Sequence, residues 1–140
     1  MNCRFLAFAF VALVAQAAPA RDADRPMAVT ADLDGNGEMD IARLTRSGES
    51  VGLRVTINST PLPAIEIPVD GSREFGICPG SPPSIRIVAQ SEAPLNALGE
   101  MPHGYAMCPT CVEIEVGGGD CDPVHFYWDV IAGKLAWWRA

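Results

Sequence analysis

A dense group of oxygen-bearing side chains lies near the start of the chain, between two apolar stretches. Residues 32–40 read Asp-Leu-Asp-Gly-Asn-Gly-Glu-Met-Asp, which follows the pattern D-x-D-x-N-G-x-x-D. Short side chains at alternate positions can direct oxygens to one centre, and Gly37 permits the sharp turn that this requires. Calcium is a hard cation that binds about six to eight oxygens. We therefore expect a calcium site whose ligands are Asp32, Asp34, Asn36, Glu38 through its carbonyl, and Asp40.

The first half of this loop resembles an EF-hand loop, but its twelfth position is Arg43, where an EF-hand has a bidentate glutamate. The flanking segments also have the pattern of strands rather than helices. A D-x-D-G-N-G-x-x-D loop between strands is similar to the calcium loop of FG-GAP or VCBS β-propeller repeats. This resemblance covers Val29 to Leu44 and implies that the loop residues bind calcium. A propeller needs about four to eight blades, and this chain has room for about two, so we expect the loop without the propeller.

A metal-free turn is the alternative for this loop, because Asp and Asn side chains can bond to their own backbone. Calcium is favoured, since three crowded carboxylates repel one another without a cation. The missing twelfth ligand predicts a weak site, in the range of about 10⁻⁴–10⁻³ M that extracellular modules use. A weak site of this kind is typical of a structural role.

Four cysteines follow the first twenty residues, whose apolar run resembles a secretory signal peptide. An even number of cysteines in an exported chain favours two disulfides. We expect Cys78 to pair with Cys108 or Cys111, and Cys121 to pair with the other. One bridge should therefore close a loop of at least about 30 residues, which stabilises a domain of this size considerably.

Two other chemistries fit the same cysteines. Cys108 and Cys111 have the spacing of a thioredoxin-type redox pair, but a predicted strand follows them where that motif needs a helix N-terminus. Cys108, Cys111, Cys121 and His125 form C-x2-C-x9-C-x3-H, a spacing that suits tetrahedral zinc. Zinc is disfavoured because it would leave Cys78 unpaired in an oxidising compartment.

Aromatic residues are concentrated at the C-terminal end of the chain, in two runs that resemble the arms of a hairpin. Alternation predicts that Phe126, Trp128 and Trp137 fill the core of a small sheet. Tyr127 and Trp138 fall on the opposite face, where they could form an exposed binding surface.

The elements that must position these groups are predicted to be strands. Val51 to Ile57 and Val112 to Val116 alternate apolar and polar residues with a period of two. The frequent Pro and Gly residues between such runs are incompatible with long helices. We expect a mostly β fold, with a small antiparallel sheet or sandwich-like domain, long Pro/Gly-rich loops and disulfide staples. The other strand candidates are Met27–Leu33, Ile41–Thr45, Ile65–Ile67, Ile85–Val88, Val124–Asp129 and Leu135–Trp138.

The first twenty residues have the features of a secretory signal peptide. A single Arg4 precedes an apolar run that ends in small residues, with cleavage expected after Ala17 or Ala20. The run is too short to span a membrane, so residues 21–140 are expected to form one soluble domain without membrane association. Loss of Arg4 changes the formal net charge from −7 to −8, and an acidic surface argues against nucleic acid as a partner.

No catalytic set is visible, since the chain has two histidines, His103 and His125, and no G-x-S-x-G motif. We expect a non-enzymatic domain, periplasmic or secreted, with a structural or binding role toward a protein or a component of the cell envelope. The first alternative is a periplasmic inhibitor or immunity protein against a cell-wall enzyme. A zinc- or thiol-dependent enzyme is the less favoured alternative.

Overall fold

The computed structural model describes residues 27–47, 50–69, 76–90, 94 and 99–139. The expected signal peptide over residues 1–20 lies outside this part of the chain, as do residues 21–26. The regular structure of the described residues consists of strands in two small antiparallel sheets, without helix, so the predicted fold class is confirmed. Within the same residues, no helix has the length and apolar character needed to cross a membrane.

The first sheet follows directly from the alternating pattern of its central strand. In β3, Val51, Leu53, Val55 and Ile57 are buried, while the residues between them are more exposed. The β1–β2 and β2–β3 pairs are antiparallel, and β4 and β5 both pair with β3, at opposite ends of that strand. The strands of this sheet are β1 (Ala28–Ala31), β2 (Asp40–Ser47), β3 (Ser50–Ile57), β4 (Thr60–Pro61) and β5 (Ile65–Pro68).

The second sheet is a meander of four antiparallel strands in chain order. A parallel bridge between Ile77 and Gly118 attaches the segment before this sheet to the end of its second strand. The strands are β6 (Ser84–Ala89), β7 (Val112–Gly117), β8 (Val124–Asp129) and β9 (Lys134–Arg139).

The two sheets share one hydrophobic core. Leu53 and Ile67 from the first sheet belong to the same buried cluster as Ile85, Ile114 and Phe126 from the second. Burial of such side chains removes apolar surface from water, which is the main favourable contribution to folding. One face of each sheet is therefore directed toward the core. The side chains that could bind a ligand lie in the loops and on the outer faces.

The disulfides follow a pairing different from the expected one. Cys78 is bonded to Cys121, and Cys108 is bonded to Cys111. The prediction that Cys78 pairs with Cys108 or Cys111 was wrong. Cys78 donates its backbone N–H to the carbonyl of Gly118 at 2.9 Å, which places it beside the turn that carries Cys121. The Cys78–Cys121 bridge joins residues 43 positions apart, so one disulfide does close a long loop, as expected.

The C-terminal aromatic residues also depart in part from the prediction. Phe126 is buried and Trp128 packs against the core, but Trp137 is 53% exposed. Tyr127, expected at the surface, is only 3% exposed. Alternation places Tyr127 on the outer face correctly, but the loop that precedes β7 covers it, which a strand pattern alone does not reveal.

Candidate metal site

The acidic loop joins β1 to β2 at one end of the first sheet. Asp40 is the first residue of β2 and is opposite Ala31 at the end of β1, so the two ends of the loop are held together by the strand pair. Gly35 and Gly37 have φ angles of 77° and 89°. Glycine adopts this left-handed region without steric cost, which lets the chain reverse twice within a few residues.

Three carboxylates of the loop converge. One oxygen from each of Asp32, Asp34 and Asp40 lies within 4.8 Å of the other two. Asp40 is 1% exposed, while Asp32 and Asp34 are half-buried at the rim. The spacing along the chain therefore does bring these three predicted ligands together around one centre.

Backbone N–H groups of the loop hold the Asp32 carboxylate in place. Its Oδ1 accepts hydrogen bonds from the N–H groups of Gly35 at 2.8 Å and Asn36 at 3.0 Å, and its Oδ2 accepts one from Gly37 at 2.8 Å. Each carboxylate oxygen has two acceptor positions. The Oδ2 atom therefore retains a position for a further ligand while the loop wraps around the side chain.

The other two carboxylates are fixed in a comparable way. Asp40 Oδ2 accepts a hydrogen bond from the N–H of Leu33 at 2.9 Å, and its Oδ1 accepts one from the N–H of Asn58 at 3.1 Å. Asp34 Oδ1 accepts one from Asn36 N at 3.2 Å. Each of these oxygens keeps one acceptor position, so all three carboxylates can contribute to a cation without losing these bonds.

Among the described residues, no cationic side chain forms an ion pair with the carboxylates of this cluster. Ion pairs such as Arg86–Glu115, His103–Asp129 and His125–Glu113 lie elsewhere in the described part of the chain. Burial of a carboxylate such as Asp40 is costly unless hydrogen bonds or a cation compensate for it. The donor set consists of oxygens only, which suits a hard divalent cation and does not suit zinc.

The two remaining predicted ligands have different positions. Asn36 belongs to the cluster, because its Nδ2 donates to Asp34 Oδ2 at 3.1 Å and its Oδ1 accepts from the N–H of Glu38 at 2.6 Å. The Glu38 side chain is exposed, and the contribution of its backbone carbonyl stays a prediction.

Asn58 is a member of the cluster that the sequence did not predict. It lies in the turn between β3 and β4, with a φ of 49°, and its Nδ2 donates to Asp34 Oδ2 at 3.0 Å. Its Oδ1 accepts a hydrogen bond from the Asn36 side chain. Asparagine often adopts the left-handed conformation in tight turns, so the sequence can indicate the turn. It does not indicate which other loop the asparagine side chain contacts.

The acidic loop borders a small groove of about 80 Å³ that lies between it and the second sheet. Asp32 and Asp34 line one side, while Trp128 and the Cys108–Cys111 disulfide line the other. The loop is thus accessible from solvent on the side of its half-buried carboxylates, and an ion can enter from there.

The four described cysteines do not form a zinc site. All four described cysteines are bonded in pairs, and a disulfide sulfur lacks the thiolate charge that zinc requires. The Nδ1 atom of His125 lies 3.0 Å from Glu113 Oε2, and its ring stacks on Trp138. The C-x2-C-x9-C-x3-H spacing is therefore a coincidence of sequence. Cys108 and Cys111 lie in a turn before β7, without the helix that a thioredoxin-type pair needs.

Comparison with known proteins gives no relative: no protein-family model, no curated protein and no solved structure matches this chain. The similarity of the loop to FG-GAP and VCBS calcium loops stays a prediction from its motif.

Proposed function

We propose that this protein is an exported, non-enzymatic β domain whose β1–β2 loop binds calcium in a structural role. The observation that carries the proposal is the convergence of Asp32, Asp34 and Asp40, whose carboxylate oxygens approach within 4.8 Å of one another. None of the ion pairs of the described residues neutralises these charges. A divalent cation does so, and it also makes the burial of Asp40 favourable.

Calcium suits the loop better than magnesium. Magnesium demands a near-ideal octahedron and retains several waters, whereas calcium accepts irregular sets of carboxylate, amide and carbonyl oxygens. The loop offers three carboxylates, the Asn36 amide and backbone carbonyls within nine consecutive residues, 32–40. Carboxylates anchored by backbone N–H groups cannot shift freely to the shorter distances that magnesium requires.

A structural role fits the place of the loop in the fold. Asp40 accepts hydrogen bonds from Leu33 in the loop and from Asn58 in the β3–β4 turn. A cation bound to Asp40 therefore stabilises two connections of the first sheet together. Its removal should loosen that end of the sheet and leave the second sheet, with its own disulfides, largely unchanged.

Export is supported by the two disulfides, which persist in oxidising compartments such as the periplasm or the extracellular space. The signal-like N-terminal run agrees with this location. In such a compartment free calcium is abundant, so a site of about 10⁻⁴–10⁻³ M affinity is occupied. The domain then acts as a stable module with a structural or binding role.

Thermal unfolding with and without calcium tests the proposal. We expect about 10 mM calcium to raise the Tm by about 5–15 °C relative to a chelator, because a ligand that binds only the folded state stabilises it. Magnesium should raise the Tm much less. Isothermal titration calorimetry should give one site per chain.

Matched variants locate the site. Asp34→Asn removes one charge from the half-buried rim of the cluster and should reduce calcium affinity at least about tenfold. Asp120→Asn makes the same chemical change at an exposed position in the β7–β8 turn and should bind calcium normally. An unchanged Tm in calcium, or equal loss of affinity in both variants, would contradict the proposal.

A further inference from the structure

The acidic loop contains the single Asn–Gly pair of the chain, Asn36–Gly37. Both residues are exposed, and a Cβ atom built at Gly37 would have no atom beyond its chain neighbours within 4 Å. Asparagine is a chemically labile residue, and a following glycine lets the backbone nitrogen approach the side-chain carbon without hindrance from a Cβ atom. The residue types and their exposure are therefore those of a deamidation site.

Deamidation at this pair consumes only water. The Gly37 nitrogen loses its proton to a base and bonds to Asn36 Cγ, the Cγ–Nδ2 bond breaks, and the nitrogen leaves as ammonia. Water then opens the five-membered imide at one of its two carbonyls, which gives aspartate or isoaspartate. Both products carry a negative charge that asparagine lacks, and isoaspartate also adds a carbon atom to the main chain.

The folded loop holds the attacking nitrogen in an unreactive state. The N–H of Gly37 donates a hydrogen bond to Asp32 Oδ2 at 2.8 Å. The reaction must break this bond and place negative charge on the nitrogen beside an ionised carboxylate. Like charges repel at such short distances, and the converging carboxylates of Asp34 and Asp40 act in the same direction. The closed loop therefore opposes the first step of the reaction.

The side chain of Asn36 is held as well. Its Nδ2 donates hydrogen bonds to Asp34 Oδ2 at 3.1 Å and to Asn58 Oδ1. Its Oδ1 accepts one from the N–H of Glu38 at 2.6 Å. Ring closure requires the Cγ atom to move to bonding distance of the Gly37 nitrogen while Nδ2 departs, so these bonds must be released first. The reaction consequently needs an open loop.

The products do not fit the closed loop. The bonds from Asn36 to Asp34 and Asn58 require N–H donors, which a carboxylate lacks. An aspartate would direct an oxygen at Asp34 Oδ2, and these two negative charges repel. Isoaspartate also lengthens the backbone between the N–H groups of Asn36 and Gly37, both of which donate to Asp32. A loop that has reacted therefore closes less well than before.

We propose that Asn36 is a deamidation site that the closed acidic loop keeps unreactive, and that opening of the loop converts it irreversibly to aspartate or isoaspartate. The hydrogen bonds that carry this inference all lie between residues of the chain, so it does not depend on bound calcium. Each prolonged opening of the β1–β2 connection is thereby recorded as a covalent change.

Peptide mapping by mass spectrometry tests the proposal on residues 21–140. The protein is incubated in a chelator at mildly alkaline pH, with and without enough guanidinium chloride to unfold it, and is sampled over time. Deamidation at Asn36 should be at least about tenfold slower in the folded protein, because it needs the open loop. Asn36→Gln is the chemical control, since glutamine has to form a larger ring, and it should give far less product when unfolded.

Two glycine variants test the role of the hydrogen bonds. Asn58→Gly removes the acceptor for Asn36 Nδ2 and the donor to Asp34. In the folded protein it should raise the rate at Asn36 about threefold to fivefold, because loss of exposed hydrogen bonds shifts the opening equilibrium modestly. Ser59→Gly changes the adjacent left-handed position and should leave the rate within about twofold. Unfolded, both variants should react at the rate of the parent.

The effect of the product is tested with Asn36→Asp, which reproduces the aspartate form. In a chelator its Tm should lie below that of the parent, because a fourth carboxylate joins the cluster.

Three results would overturn the proposal. These are equal rates at Asn36 in the folded and the unfolded protein, an Asn58→Gly rate no higher than that of Ser59→Gly, and a Tm of Asn36→Asp equal to that of the parent. All of these measurements are made without calcium. Failure of the loop to bind calcium would leave each expectation unchanged, so this proposal and the proposed calcium site can fail separately.

Discussion

The Nδ2 atom of Asn58 donates a hydrogen bond to Oδ2 of Asp34 at 3.0 Å, although the two residues are 24 positions apart. This bond joins the β3–β4 turn to the acidic loop. Asn58 also donates its backbone N–H to Asp40 at 3.1 Å, so one residue contacts two of the three converging carboxylates. The loop is therefore held from outside as well as by its own backbone.

Replacement of Asn58 should reveal how much this external support contributes. Asn58→Gly keeps the left-handed backbone but removes the side-chain bonds to Asp34 and Asn36. We expect the free energy of unfolding to fall by about 1 kcal/mol in a chelator, since exposed hydrogen bonds contribute modestly. Urea unfolding measures this. Ser59→Gly, at the adjacent left-handed position with a φ of 64°, should cost nothing, and an equal loss in both variants would contradict the assigned role.

The two disulfides should contribute unequally to stability. Cys78–Cys121 joins residues 43 positions apart, and Cys108–Cys111 joins residues 3 positions apart. In the chain-entropy model, the long loop predicts about 4 kcal/mol and the short loop about 2 kcal/mol. Paired Cys→Ala replacements, compared by urea unfolding, measure the difference. A larger loss without Cys108–Cys111 would show that the short bridge stabilises the native fold directly.

Gly104 should tolerate no side chain. Its φ is +65°, and a Cβ atom built at this position would overlap the carboxylate of Asp129. Gly104→Ala should lower the free energy of unfolding by about 2–4 kcal/mol, because it combines backbone strain with a steric clash. Gly133 has a similar φ of +60° but no atom near its Cβ position. Gly133→Ala should therefore cost only about 1 kcal/mol, and similar losses at both positions would contradict the clash.

The carboxyl group of Asp129 should make the free energy of unfolding depend on pH in the acidic range. The pKa of its carboxyl lies below the ordinary 3.8, chiefly because the N–H of Ala132 donates to it at 2.8 Å, with further bonds from His103 and Ile131. A lowered pKa means that the ionised form stabilises the fold. This stability is present above the ordinary pKa and is lost as the pH falls through the lowered one.

Asp129→Asn therefore tests the acid dependence. The variant should be less stable than the parent at pH about 7, and the difference should shrink as the pH approaches about 3. Urea unfolding at several pH values, in a chelator, measures it. Asp122→Asn, at an exposed position before β8, is the control. A difference that is constant across this range would show that Asp129 acts through shape and not through its charge.

Much of the secondary structure was predictable because burial on one face imposes a period of two. The alternation in residues 51–57 and 112–116 predicted strands there, and the structure confirms both as β3 and β7. The two-residue strand β4 was missed, because Thr60–Pro61 is too short to show any period. The convergence of Asp32, Asp34 and Asp40 was also predictable, because all three residues belong to one short loop and their spacing in the sequence constrains their positions.

The amino-acid sequence by itself therefore determined local features. These are the strands, the face of each strand on which a residue lies, and the crowding of three aspartates in one turn. The tertiary structure alone decided the disulfide partners, the burial of Tyr127, the exposure of Trp137 and the entry of Asn58 into the acidic loop. These features depend on which distant segments pack together. Side-chain periodicity constrains the faces of a strand, but it carries no information about the loop or strand that will cover them.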